Sequence, residues 1–166
     1  MWPCWEALTD RGKAELLDAL VAHDATLVAR AGREARSRLA TVKIADVAIA
    51  VAEELLALDH EELSRHAGRA RYGYVEPTEA AWSLLEAALQ PWLEDIARRA
   101  GLGFAGAARQ IGLGVLEGLR HAGDGRGNDE RLLSWAPDFP EEASITVLRQ
   151  LADLGIEIVD LAAPDT

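Results

Sequence analysis

The sequence predicts an all-α fold, an irregular helical bundle of seven or eight helices with almost no strand. Three observations lead there. Hydrophobic residues make up 49% of the 166 positions, enough for a sizeable core, and most of them are Ala and Leu; only two Phe and two Tyr occur. Ala and Leu head the helix scale, whereas strands favour β-branched and aromatic residues. Apolar positions recur at helical spacing along nearly the whole chain, and cap residues precede them. No clean period of roughly 33 to 47 residues repeats, so a regular solenoid is not indicated.

Taken in order, Thr9 or Asp10 caps a helix whose Leu16, Leu17, Leu20 and Val21 form one apolar face. Asp24 caps the next, from about Ala25 to Leu39, over Leu27, Val28 and Ala31. Thr41 opens a third, with Ile44, Val47, Ala48, Val51, Leu55 and Leu56 in a broad stripe. Asp59 caps the short "HEELSRH", which stops at Gly68. Residues 69–77 read as an extended connection ended by Pro77. Thr78 then caps a helix through Trp82, Leu85 and Leu89, and Pro91 must kink it or start a new one before Gly101. A further helix runs from about Phe104 to His121. Residues 123–128 form a glycine-rich loop, "ERLLSW" a turn or two of helix, and "PDFP" punctuates. The last helix covers about Glu141 to Leu154 and ends at Gly155; "IEIVDL" after it is a short extended or helical tail.

These elements read as one helical domain over residues 1–166, with a basic segment at 30–43 and an acidic part at 124–166. The net charge is −11, and residues 124–166 carry 10 of the 28 acids against 3 of the 17 bases. An acidic surface repels phosphate backbones and anionic lipid, which argues against general nucleic-acid or membrane binding. The most apolar interior stretch, "IADVAIAVAEELLAL", contains Asp46, Glu53 and Glu54 and is no membrane span. Cys4 is the single cysteine, so no intrachain disulfide forms. The start, "MWPCWEALTD", lacks the basic and apolar parts of a signal peptide, and a cytoplasmic location is expected.

"GLGFAG", residues 101–106, spells the G-x-G-x-x-G of a dinucleotide loop with Gly101, Gly103 and Gly106. That fingerprint works only after a β-strand, where it seats pyrophosphate on a helix N-terminus. Here it follows the amphipathic helix "WLEDIARRA", so Gly101 reads as a helix C-cap and no cofactor is expected. Gly103, Ala107, Gly114 and Gly118, with Gly112 nearby, place small residues along one helix. Each interior glycine costs about 0.5–1 kcal/mol relative to alanine. A helix carrying several therefore sits where another backbone passes close by, at the centre of the bundle, in preference to across a dimer axis.

His60, Glu62 and His66 are the only candidate metal ligands, and they lack the third or fourth partner and the HExxH spacing that zinc requires. The loop from Asp124 departs from an EF-hand at Arg126, Asp129 and Trp135. Arg30, Arg33, Arg36, Arg38 and Lys43 face only Glu34 in their segment, and ion pairing with the acidic C-terminal part is the simpler use of them. Trp82, Trp92 and Trp135 fall at apolar helical positions and are expected in the core. Trp2 and Trp5, at a terminus, suggest docking onto the domain or a partner, with Cys4 a packed thiol. Arg69, Arg71, Tyr72 and Tyr74 are further interface candidates, able with Arg98 and Arg99 to surround a cleft.

Two stretches, "LTDRGKAELLDALVAHDATLVARAG" and "GYVEPTEAAWSLLEAALQPWLEDIARRAGLGFAGAA", resemble the helical region that accompanies SWIM zinc fingers in bacterial proteins. The likeness covers about a third of the chain. Because the C-x-C and C-x-H of the finger are missing, it implies a helical, interaction-type module and neither zinc nor nucleic-acid binding. No Ser-His-Asp set, P-loop or paired-carboxylate motif stands out. The reading that follows is a protein–protein interaction or self-associating module, partnered by itself or another protein. The alternatives are a ligand-binding or enzymatic bundle using the Tyr/Arg cluster or His60 and His66, and a nucleic-acid adaptor using residues 30–43.

Overall fold

A computed structural model describes all residues except 1–8, 23, 71–72, 125–130 and 159–166. Among the described residues there are seven α-helices, one 3-10 turn and one small hairpin, so the all-α bundle read from the sequence stands. The backbone divides into two compact units at residue 40, where the sequence reading draws one domain.

The first unit holds α1 (Asp10–Ala22) and α2 (Ala25–Ala40). Thr9 rather than Asp10 caps α1, its Oγ1 accepting from the Gly12 amide at 3.2 Å. Asp24 caps α2 by accepting from the Thr26 and Leu27 amides at 2.8 and 3.2 Å. These bonds satisfy donors that no helical carbonyl can reach.

The second unit contains α3 (Ile44–Ala57), α4 (His60–His66), β1 (Gly68–Ala70), β2 (Gly73–Val75), α5 (Pro77–Gly101), α6 (Ala105–Asp124), a 3-10 turn (Leu132–Ser134) and α7 (Phe139–Asp153). Asp59 caps α4 through the Glu61 and Glu62 amides. Thr41 does not open α3, which begins at Ile44 with Lys43 in the cap position. Glu76 and not Thr78 occupies the cap position of α5 because Pro77, with its preset φ and missing N–H, takes the first helical position. The extended connection is an antiparallel hairpin pairing Gly68 with Val75, Arg69 with Tyr74 and Ala70 with Gly73.

Pro91 neither divides nor ends α5, which runs unbroken for 25 residues. Pro91 and Ala87, whose carbonyl it deprives of a donor, both lie exposed, so water can fill the vacancy. The bundle is bolted from α7 as well. Gln150 donates to the Leu93 carbonyl at 2.8 Å, and Arg109 of α6 donates to the Glu157 carbonyl at 3.1 Å.

Helix α6 lies at the centre, packed against α3, α5 and α7. A Cβ on Gly114 would lie 2.6 Å from Val47 Cβ and 2.8 Å from the Ile44 carbonyl oxygen. One on Gly118 would meet Val51 Cβ at 2.7 Å and the Ala48 carbonyl at 2.8 Å. The small-residue stripe is therefore used within the chain, by α3. On another side of α6, a Gly112 Cβ would meet Leu151 Cδ1 of α7 at 2.6 Å, the movable end of a side chain. The core around these contacts includes Val51, Leu55, Leu85, Ile96, Ile111, Leu119, Phe139, Val147 and Leu151. Among the described residues no polar or charged residue is buried.

Gly114→Ala and Gly118→Ala are each expected to destabilise this unit by about 1–3 kcal/mol, since carbonyl and Cβ atoms of α3 cannot step aside. Gly106 of the same helix has open space around its Cβ, and Gly106→Ala is expected to add up to about 1 kcal/mol. Denaturant unfolding of the three variants decides it: equal effects would mean that the helices do not depend on this approach.

Candidate functional site

The glycine fingerprint is a link between two helices. Gly103, at φ +84, carries the left-handed residue that ends α5. The Gly103 amide bonds the Ala100 carbonyl and the Phe104 amide bonds the Arg99 carbonyl, both at 2.9 Å, the paired closure of a Schellman motif. Gly101 is thus the last helical residue and not the capping glycine that the sequence reading assigns. The physical reason is that the left-handed turn lies past the last helical residue, at Gly103. Gly106 sits in the first turn of α6. No strand precedes the loop, so its amides are not laid out as a pyrophosphate cradle requires.

His60, Glu62 and His66 do not converge. His66 Nδ1 donates to the Glu62 carbonyl at 2.9 Å, within its own helix. His60 Nδ1 lies 3.2 Å from Ser64 Oγ, and its ring meets Trp135 edge-on at 6.2 Å. Among the described residues no three His, Cys, Asp or Glu side chains are arranged to hold a metal ion.

The Tyr/Arg cleft is not assembled as drawn. Tyr74 is exposed on β2, just before α5, whereas Arg98 and Arg99 lie at the far end of that helix. At 1.5 Å per residue the separation is roughly 30 Å. Both arginines instead bond Asp95 of their own helix, Arg99 at 2.9 Å. Arg71 and Tyr72 lie outside the described residues, as do Trp2, Cys4 and Trp5; Arg69 is placed only by its strand register opposite Tyr74.

The tryptophans separate into three environments. Trp82 is half-buried and packs edge-on against Phe139 at 5.2 Å. Trp92 is half-buried with Nε1 donating to Glu54 Oε2 at 2.9 Å. Trp135 is exposed, contrary to the core position expected of it. The turn before it is too short to present a full helical face: Leu132 and Leu133 go inward and the indole is left outside. In the basic segment, Arg38 pairs with Glu34 at 2.9 Å and Lys43 with Asp46 at 3.7 Å.

The feature that sequence reasoning did not locate is the surface of the first unit. Neither α1 nor α2 contains a buried residue. Leu16, Leu17 and Leu20 of α1 and Leu27 and Val28 of α2 are all exposed, between 41% and 52%. Those residues form the apolar faces that the spacing indicates, but spacing does not say what covers a face. The charge is partitioned at the same boundary. Residues 1–40 hold six acids and six bases, so the whole net charge of −11 falls on residues 41–166.

Comparison with family models, with curated proteins and with solved structures finds no match to this chain. Among the described residues no helix is long and apolar enough to cross a membrane.

The two fingerprint glycines are expected to respond differently. Gly103→Ala should cost about 1–2 kcal/mol, the left-handed penalty for a residue with a Cβ. Gly101→Ala, with nothing within 4 Å of its Cβ, should leave stability unchanged or slightly raised. Thermal unfolding followed by circular dichroism distinguishes them, and equal losses would contradict the helix-cap assignment.

Proposed function

We propose that this protein works through protein–protein contact, and that the α1–α2 hairpin is the element through which it self-associates. One observation carries the reading: a two-helix unit with no buried residue among those described, exposing Leu16, Leu17, Leu20, Leu27 and Val28. Isolated helices of 13 and 16 residues are marginal in water and gain most of their stability from packing an apolar face. Units of about 40 residues seldom fold without a partner, a metal or disulfides. Two such hairpins meeting about a two-fold axis make a four-helix arrangement, the simplest closed way to cover both faces.

Charge favours the same location. Two copies meeting through residues 41–166 would bring net charges of −11 together, whereas residues 1–40 are balanced. Within α2 itself Arg30, Arg33, Arg36 and Arg38 stand against Glu34 alone, and it is the acids of the preceding residues that balance them. The likeness of residues 8–32 to the helical region beside SWIM zinc fingers agrees with an interaction module.

Light scattering coupled to size exclusion tests this on the full chain. The wild-type protein is expected to run as a dimer and the Leu17→Glu/Leu20→Glu variant as a monomer, with the denaturant midpoint of the second unit retained. A monomeric wild-type chain overturns self-association, and a variant that stays dimeric overturns the hairpin as its site.

A further inference from the structure

A groove of about 250 Å³ lies between α5 and α7 in the second unit. Its α5 wall presents Trp82, Glu86, Leu89 and Gln90, spaced so that they form one ridge; Phe139 and Glu142 come from the start of α7. The apolar part is anchored in the core. Phe139 is 1% exposed, its ring meets the half-buried Trp82 indole at 69°, and both line the groove. The polar part is of one sign. Glu86 and Glu142 both line the groove, no Lys, Arg or His does, and neither carboxylate has an ion pair or side-chain hydrogen bond with a described residue.

Some acids of this unit are engaged, Asp95 with Arg98 and Arg99, Asp124 with Arg120, Glu61 with Arg65 and Glu54 with the Trp92 indole, and others are not; Glu86 and Glu142 are the two that line a groove with an aromatic wall. An aromatic surface beside two unpaired carboxylates matches a cation that also carries apolar bulk, through ion pairing and attraction to the indole face. The net charge of −11 on residues 41–166 supplies a long-range field that concentrates cations. The volume lies just below the range of about 300–1,000 Å³ usual for drug-sized ligands, so the occupant is small.

We propose that the α5–α7 groove binds a small organic cation, a protonated amine or quaternary ammonium with an apolar or planar body, held by Glu86, Glu142 and the Trp82 ring. The pocket is open at the surface, so the carboxylates keep their solvation and affinity is modest. This inference does not rest on self-association, since the groove lies wholly within the second unit.

Benzyltrimethylammonium is the probe, titrated into the full chain by calorimetry and by the indole N–H signals in NMR. Binding in the millimolar range or tighter is expected, with the Trp82 signal shifting most. Benzyl alcohol, the uncharged comparison, is expected to bind at least tenfold more weakly. Glu86→Gln and Glu142→Gln alter exposed residues and leave the core intact; each is expected to weaken the cation about threefold. Raising the salt concentration should weaken it further. No binding by the cation, equal binding by the alcohol, or a double Gln variant that binds like wild type would each overturn the proposal. A largest shift at Trp92 or Trp135 would overturn it too, by moving the site elsewhere.

Discussion

The second unit depends on the closeness of two backbones. At Gly114 and Gly118 the axis of α6 comes so near α3 that Val47, Val51 and two α3 carbonyls occupy the space where side chains would stand. The price in helix propensity, about 1 kcal/mol per glycine, is offset by backbone-to-side-chain contact that a larger residue would prevent. Once α3 is seated, the rest of α6 is committed. Ile111, Val115 and Leu119 go into the core, and Gly112 opens a notch for Leu151 of α7. A centrally packed helix bearing five glycines thus sets the spacing of the helices packed on it.

The two long helices beside it are held by different devices. Each of α5 and α7 ends in a Schellman turn, at Gly103 and Gly155, both with positive φ. At the second, Ile156 folds back and is buried with Leu151, whose carbonyl its amide bonds. The C-terminal segment is thereby turned back onto α6, where Arg109 takes the Glu157 carbonyl. Among the described residues most ion pairs run along one helix at i,i+3 or i,i+4 and are exposed. Such pairs contribute about 0.3–0.5 kcal/mol each at most. Apolar packing, not charge, holds this bundle.

The two units divide the physical labour. Residues 41–166 bury a dense apolar core and carry the entire net charge; in residues 1–40 the charges balance and Leu16, Leu17, Leu20 and Leu27 are exposed. Among the described residues His60 and His66 have hydrogen-bond partners within α4, and Tyr74 lies at the opposite end of α5 from Arg98 and Arg99. The described surface includes a hairpin with exposed leucines and an acid-lined aromatic groove.

Local chemistry was legible in the sequence. Asp24 and Asp59 cap the helices they precede because a carboxylate one residue before a helix meets free amides whatever the tertiary fold. Gly155 ends a helix for an equally local reason, and the glycines of α6 announced a close neighbour through their cost alone. Choices made among near-equivalent local options were decided elsewhere. Gly103 and not Gly101 turns left-handed, α5 passes through Pro91, and Trp135 stays outside while Leu132 and Leu133 go in. Above all, the spacing of Leu16, Leu17, Leu20, Leu27 and Val28 defines apolar faces, but periodicity is a property of one helix and burial is a property of two. Only the tertiary structure gives those residues their exposure, and only it brings Glu86 and Glu142, 56 positions apart, onto one groove.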